Sequence, residues 1–309
     1  MTTELAPAKA NLVLQVGPRR PDGLHEICSL FVSLELADVV RVEPIDDARH
    51  ADDRVECPGV DGTNLAAAAL VAYRAAAGAS SVPALHIHID KRIPVAAGLG
   101  GGSADAAATL RAADALAPAP LGTARLRRLA MGIGADVPSQ VEPRHALVTR
   151  AGEHVEPVDL PPLALVLVPQ REGLSTASVY AEADRRGDVR SRLDPDRLRE
   201  LVRAGSRERL LAALENDLEP AARALRPELD RVAERLRAAG ALAALVSGSG
   251  PTMLGVFDGL DPARRAAEEI EGAIVTRPSS GQGRIGDAFE DSSATTEAVP
   301  AAAGCARPR

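Results

Sequence analysis

The sequence predicts an α+β protein of two domains, and three observations carry that prediction. The chain has 309 residues, where a single domain usually takes about 100–200. Its first half mixes short apolar strands with Ala- and Leu-rich helical stretches. Toward the C-terminus, two apolar strands flank Ser247-Gly248-Ser249-Gly250-Pro251, which reads as the turn of an antiparallel hairpin set among helices. The expected division is residues 1–155, residues 156–277, and a tail from 278 to 309.

Taken in order, residues 10–16 alternate around Asn11 and Gln15 and read as a strand. Residues 19–23 form a polar Pro/Gly turn. Val- and Leu-rich residues 30–43 read as one or two strands, and the charged stretch 48–62 as a surface loop. Residues 64–77 have helical spacing, with Asn64 placed to cap them. Leu85-His86-Ile87-His88-Ile89 is strict alternation, a half-buried strand. Helices follow at 103–117 and 123–133, and Gly134-Ala135-Asp136-Val137-Pro138 breaks the second. Residues 163–169 open the second unit as a buried strand. Residues 194–214 and 227–239 are helical, and strands are expected at 242–246 and 252–257. The Ser-, Gly-, Ala- and Pro-rich stretch 278–309 lacks periodicity and is expected to be disordered.

Composition narrows the function. Hydrophobic residues make up 46% and aromatics only 2%, with no Trp, so the core must be built from Ala, Leu and Val. A net charge of −7 argues against general nucleic-acid binding, which needs a basic face. Cys28, Cys57 and Cys305 are odd in number and widely spaced, which suggests neither a disulfide framework nor a zinc site. A reduced, cytoplasmic protein is expected. The N-terminus lacks the pattern of a secretory signal. No apolar run approaches the roughly 18 residues of a membrane span.

The first candidate site is Pro94-Val95-Ala96-Ala97-Gly98-Leu99-Gly100-Gly101-Gly102-Ser103-Ala104. Glycines admit backbone conformations barred to other residues, so successive N–H groups can converge on an anion. The helix that follows adds its N-terminal dipole, which favours phosphate, and Ser103 adds a hydroxyl. A flexible turn ahead of an Ala-rich helix is the plainer account of the same residues. The spacing is neither a Walker A loop nor a dinucleotide fingerprint.

Lys9, at the head of an apolar strand, reads either as a solvated end-of-strand lysine or as a cation that offsets charge during phosphoryl transfer. Asp136 reads either as a turn aspartate or as a general base. The segment 247–252 suits a hairpin turn and equally the close approach of a ligand. His86 and His88 share a strand face, but no third ligand stands near, and the solvated face of an edge strand accounts for them better than a metal pair.

Together and in this order, these pieces resemble the GHMP kinase superfamily. The first motif is matched by Ala8-Lys9-Ala10-Asn11-Leu12, followed by Arg20-Pro21-Asp22-Gly23-Leu24-His25-Glu26. The glycine loop with Asp105-Ala106-Ala107, the segment around Asp136, and Ser247-Gly248-Ser249-Gly250-Pro251-Thr252 complete the set. The likeness runs from residue 5 to residue 277.

The resemblance implies two domains with the active site in the cleft between them, and ATP as phosphoryl donor with Mg²⁺. It implies a small-molecule substrate, 4-diphosphocytidyl-2-C-methyl-D-erythritol, phosphorylated on its 2-hydroxyl in non-mevalonate isoprenoid biosynthesis by a monomer or weak homodimer. Carried over by motif, Lys9 and Asp136 form the catalytic pair and residues 94–104 bind ATP. Asn11, His25, Thr176 and Tyr180 contact the substrate, with His25 reading cytosine and Tyr180 stacking on it. Leu24 departs from the family by replacing an aromatic residue. Ser139-Gln140 and Ala104 depart as well, and no catalytic group is lost. A related kinase for homoserine or a mevalonate-like alcohol and an idle nucleotide-binding paralogue are the alternatives.

Overall fold

The first structural decision of the chain is a long antiparallel pair. In the computed structural model, which describes residues 1–45, 52–60, 64–78 and 81–279, β1 (Thr2–Arg19) pairs with β2 (His25–Pro44). Both strands extend well past the segments that alternation marks. Lys9, Asn11 and Gln15 interrupt the apolar pattern without ending the strand, because each finds a partner: Lys9 with Asn11, Asn11 with Ser29, Gln15 with Glu215. Residues 30–43 belong to one strand, not two. Its far end pairs with one neighbour and its near end with another.

Those neighbours come from the segment that follows. It runs through β3 (Arg54–Glu56), α1 (Leu65–Ala77), β4 (Leu85–Asp90), α2 (Gly101–Leu116), α3 (Thr123–Ala130), α4 (Val137–Gln140), β5 (Ala146–Arg150) and β6 (His154–Pro157). β4 pairs with residues 39–44 of β2, and β5 with residues 27–31. Asn64 caps α1 as expected, its Oδ1 accepting from Ala66 N at 2.8 Å. The expected loop at 48–62 lies partly outside the described residues, and within them it contains β3. Because β3 pairs with β4, His86 and His88 do not sit on an edge strand. Glu56 of β3 faces both, at 3.3 and 3.8 Å. Among the described residues no cluster of three His, Cys, Asp or Glu is arranged to hold a metal ion.

The second half builds its own sheet. Its elements are β7 (Ala164–Val168), α5 (Thr176–Arg186), α6 (Pro195–Arg203), α7 (Arg207–Ala212), β8 (Glu215–Asn216), α8 (Glu219–Leu225), α9 (Glu228–Ala238), β9 (Ala243–Val246), β10 (Met253–Phe257), α10 (Leu260–Glu269) and β11 (Ile274–Thr276). The order is β11-β7-β10-β9, all antiparallel, and β9–β10 is the hairpin expected from the sequence. The single helix expected over 194–214 is two, α6 and α7. Gly205 at φ +60° ends the first, and Ser206 caps the second by accepting from Arg209 N at 3.2 Å.

Two strand contacts cross between the halves. β8 joins the first sheet in parallel with β1, at Val13 and Leu14. Beyond β11, Pro278 bridges Leu34, and Ser279 N donates to Ser33 O at 2.9 Å. Pro278 and Ser279, expected to open the disordered tail, are therefore held against β2, and residues 280–309 lie outside the described residues.

Three apolar layers hold this together. α1 and α2 pack Ala66, Leu70, Tyr73, Ala107 and Leu110 on Val40, Val42, Ile87 and Ile89. Between the sheets, Ala8, Leu12, Leu30 and Val32 meet Leu165, Leu167, Leu254 and Val256. α5, α8, α9 and α10 cover the far face of the second sheet with Val179, Ala221, Leu236 and Ala263. Among the described residues no helix is long and apolar enough to cross a membrane.

The glycine loop is pressed against the β9–β10 turn, backbone to backbone. A Cβ on Gly98, at φ +76°, would stand 2.6 Å from Gly250 O and 2.9 Å from Ser247 O. Gly98→Ala is therefore expected to destabilise by more than the ~1–2 kcal/mol of a left-handed alanine alone, measured by urea unfolding. The loop cannot keep both its shape and its seat in that variant.

Candidate active site

A cavity of about 940 Å³ lies along the line where the two sheets and the glycine loop converge. Its walls come from β1, β2, the loop before α2, the turn at Asp136, α5 and the β9–β10 turn. Volumes of this size accept a drug-sized ligand or larger.

Lys9 projects from β1 between two register shifts, at Pro7/Lys9 and Asn11/Val13. Such irregularities re-aim side chains beside active sites. Its side chain is 8% exposed. The ammonium donates to Asn11 Oδ1 at 2.9 Å, pairs with Asp136 Oδ2 at 3.3 Å, and lies 4.8 Å from the centre of the Phe31 ring. Asn11 is held in turn, Nδ2 donating to Ser29 Oγ at 2.8 Å and that hydroxyl to Val13 O at 2.6 Å.

Asp136 occupies the N-cap position of α4 at φ −89°, ψ −14°, and its side chain makes no capping bond. The carboxylate is left for Lys9 and the cavity. Two glycines let the surrounding backbone close in: a Cβ at Gly100 would meet Lys9 Cγ at 3.0 Å, and one at Gly248 would meet Asn11 Oδ1 at 3.1 Å.

Residues Pro94 to Ser103 all line the cavity. α2 begins at Gly101, two residues earlier than expected, and Gly100 ahead of it provides no side-chain cap. The first-turn N–H groups of a 16-residue helix are thus left for an anion. Ala104 does not line the cavity; it is buried in the core under α1. Asn64 and Leu65, read from the sequence only as a helix start, also line it.

At the other end, His25 and Tyr180 lie in contact, ring centres 5.1 Å apart and tilted by 34°. His25 Nδ1 is 3.0 Å from Gly17 O. Burial pushes the Tyr180 phenol well above its ordinary range, and nearby Asp136 adds to this. Leu24 is 50% exposed and lines the same end. Thr176 opens α5, with its Oγ1 2.9 Å from Ser249 Oγ on the β9–β10 turn. All six catalytic and substrate candidates from the sequence therefore face one cavity.

Two family models match the chain: the GHMP kinases N terminal domain over residues 64–142 and the GHMP kinases C terminal domain over residues 198–274. The chain belongs to the GHMP kinase superfamily. The first match spans the glycine loop and Asp136, the second the β9–β10 turn that seats the loop.

Among its relatives is the 4-diphosphocytidyl-2-C-methyl-D-erythritol kinase of Kineococcus radiotolerans, 43% identical, with 87% of this chain and 85% of the relative covered. That of Thermobifida fusca is also 43% identical, covering 87% and 91%. A crystal structure of 4-(cytidine 5'-diphospho)-2C-methyl-D-erythritol kinase superposes with a TM-score of 0.76 at 38% identity, covering 90% of this chain and all of the other.

Sequence reasoning missed a second charged group at the cavity wall. Lys91 Nζ donates to Asp105 Oδ2 at 2.8 Å and to Asp38. Asp38 Oδ1 also accepts from Arg92 N at 2.6 Å and Ile93 N at 2.8 Å. The cluster ties β2, the start of the glycine loop and the first turns of α2. The available signal was an aspartate inside an Ala-rich helix, 14 residues from a lysine at a strand end.

One ammonium faces two carboxylates here. Burial, reinforced by Asp38, pushes the Asp105 carboxyl up to about 7 against the pull of Lys91. A carboxyl raised on folding takes up a proton between its ordinary value of ~4 and the folded value. That contribution to stability is complete at low pH and is lost as pH rises through about 7. Asp105→Asn removes it. Between pH ~5.5 and ~8 the wild type is expected to lose a few degrees more Tm than the variant, at about 2–4 °C per kcal/mol, as followed by calorimetry in both buffers.

Proposed function

We propose that this chain transfers the γ-phosphoryl group of ATP to the 2-hydroxyl of 4-diphosphocytidyl-2-C-methyl-D-erythritol, in the non-mevalonate route to isoprenoid precursors. The observation that carries this reading is one cavity lined by three parts: an uncapped glycine loop, the Lys9–Asp136 pair, and the His25–Tyr180 contact. The names of the relatives agree with it.

On this reading Asp136 takes the proton of the substrate hydroxyl as its oxygen attacks the γ-phosphorus. The bond to the bridging oxygen breaks and ADP leaves. Lys9 holds the Asp136 carboxylate in place and offsets charge on the transferring group, and Asn11 holds Lys9 and meets the substrate. Phosphoryl transfer asks chiefly for such positioning and charge neutralisation. N–H groups of residues 94–104 and the N-terminus of α2 take the ATP phosphates.

Mg²⁺ fits as an ion brought by the phosphates, not one held in a protein cage: a hydroxyl, Ser103, lines the loop, and the described residues contain no three-ligand cluster. Ser103 would hold it, and when bound it supplies neutralisation of phosphate charge. His25 and Tyr180 take the cytosine, and Thr176 touches the substrate between them and the β9–β10 turn. The enzyme acts in the cytoplasm as a monomer or weak homodimer, with residues 1–155 and 156–277 as its two domains.

A homoserine or mevalonate kinase is not favoured, because neither substrate carries a base for the His25–Tyr180 end. The purified protein with ATP, Mg²⁺ and the cytidine substrate is expected to release ADP in a coupled assay, and not with homoserine or mevalonate. Asp136→Asn and Lys9→Ala are each expected to lower kcat by about 10²–10⁴-fold while the protein still folds and unfolds in one cooperative transition. Full turnover in either variant would remove that residue from the mechanism.

A further inference from the structure

The reaction proposed above makes no use of the carboxylate that stands beside His25. Asp184 Oδ2 lies 3.4 Å from His25 Nε2, and both side chains line the cavity. We propose that Asp184 is a specificity-determining residue, accepting the exocyclic amine of a cytosine base and excluding the carbonyl that uracil presents at the same position. This inference rests on the proposed function.

The geometry supports it in three ways. Thr176, Tyr180 and Asp184 recur every four residues along α5, so the helix turns one stripe toward the ligand. Tyr180 offers a ring face, and Asp184 follows one turn later beside His25. His25 itself is already committed on one side. Gly17 O only accepts, so Nδ1 carries a hydrogen and donates to it at 3.0 Å. Only Nε2 is left for a base edge, and Asp184 stands next to it. In either protonation state of the imidazole the ionised carboxylate is purely an acceptor. It takes an amine N–H and repels a carbonyl oxygen.

Helix stability does not account for this placement. Asp184 lies in the last turn of α5, where exposed carbonyls and the helix dipole disfavour an acid. Its neighbours do not claim it: Arg185 pairs with Glu182 at 2.6 Å and Arg186 with Asp188 at 2.7 Å. Stacking discriminates poorly among bases, since every base has a π-face. With Leu24 in place of a second ring, discrimination falls to the edge contacts of His25 and Asp184.

The test measures inhibition by CDP and by UDP against the cytidine substrate in the ADP-release assay, for wild type, Asp184→Asn and Asp184→Ser. The wild type is expected to favour CDP by about 10- to 100-fold. In the variants that ratio should fall toward one, and the KM for the cytidine substrate should rise about tenfold with a smaller change in kcat and in the KM for ATP. Two variants with wild-type melting temperatures that still discriminate would overturn the inference and leave the proposed function standing. A wild type that binds CDP and UDP equally would overturn it too. No ADP from the cytidine substrate with wild-type protein would defeat the proposed function, and this inference with it.

Discussion

Lys9 carries an ammonium into a protein interior, and an ion so placed costs several kcal/mol unless its surroundings replace water. That requirement organises the site. The replacements come from separate stretches of chain: Asn11 two residues on, Phe31 from the neighbouring strand, and Asp136 from a turn more than a hundred residues away. Asn11 is fixed by Ser29, which is fixed by the backbone at Val13. The pleat of β1 and β2 thus sets where the charge points. Gly100 and Gly248 lack the side-chain carbon that would keep their loops off it. A shift in any of these would leave a buried charge unpaired, so the constraint holds the loops and both sheets to one geometry.

The cluster around Lys91 obeys the same electrostatics with a different outcome. Its ammonium is shared by Asp38 and Asp105, and the latter is held near neutral pH by burial. Asp38 also accepts two backbone N–H groups where β4 turns into the glycine loop. The arrangement anchors both ends of the loop, at Lys91 before it and Asp105 after it. The middle is fastened independently by Gly98 against the 247–250 turn. The proposed phosphate cradle, though made of flexible residues, is thus held in place at both ends and in the middle, as pre-organised recognition requires.

Much of this is legible in the chain, wherever a local pattern encodes it. The Asn64 cap, the strand at 85–89 and the hairpin around Ser247 follow from the sequence, because each depends on local signals: a cap, an alternation, a turn. β1 and β2 extend beyond their alternating segments because buried polar residues break an apolar pattern even when partners satisfy them. One helix was expected over 194–214 because its periodicity continues across Gly205, and only the positive φ there divides it. β8 has two residues and no pattern of its own; it is a strand because β1 offers an open edge beside it. His86 and His88 look like edge-strand residues in the sequence for the same reason, since β3 is too short to announce itself.

The glycine loop, Lys9 and Asp136 stand out in the sequence by themselves, whereas Asn11, His25, Thr176 and Tyr180 are marked only through the resemblance to the GHMP kinases. Their order along the chain pointed to the family and, through it, to a two-domain α+β fold. The tertiary structure alone decided how they act on one another. It brought the Lys9 ammonium to Asp136, seated Gly98 on the far sheet's turn, packed Tyr180 on His25 and set Asp184 beside it. It also turned Ala104 away from the loop into the core. These are contacts between segments separated by tens to hundreds of residues, and their distances follow from strand register and sheet packing, which no local pattern encodes.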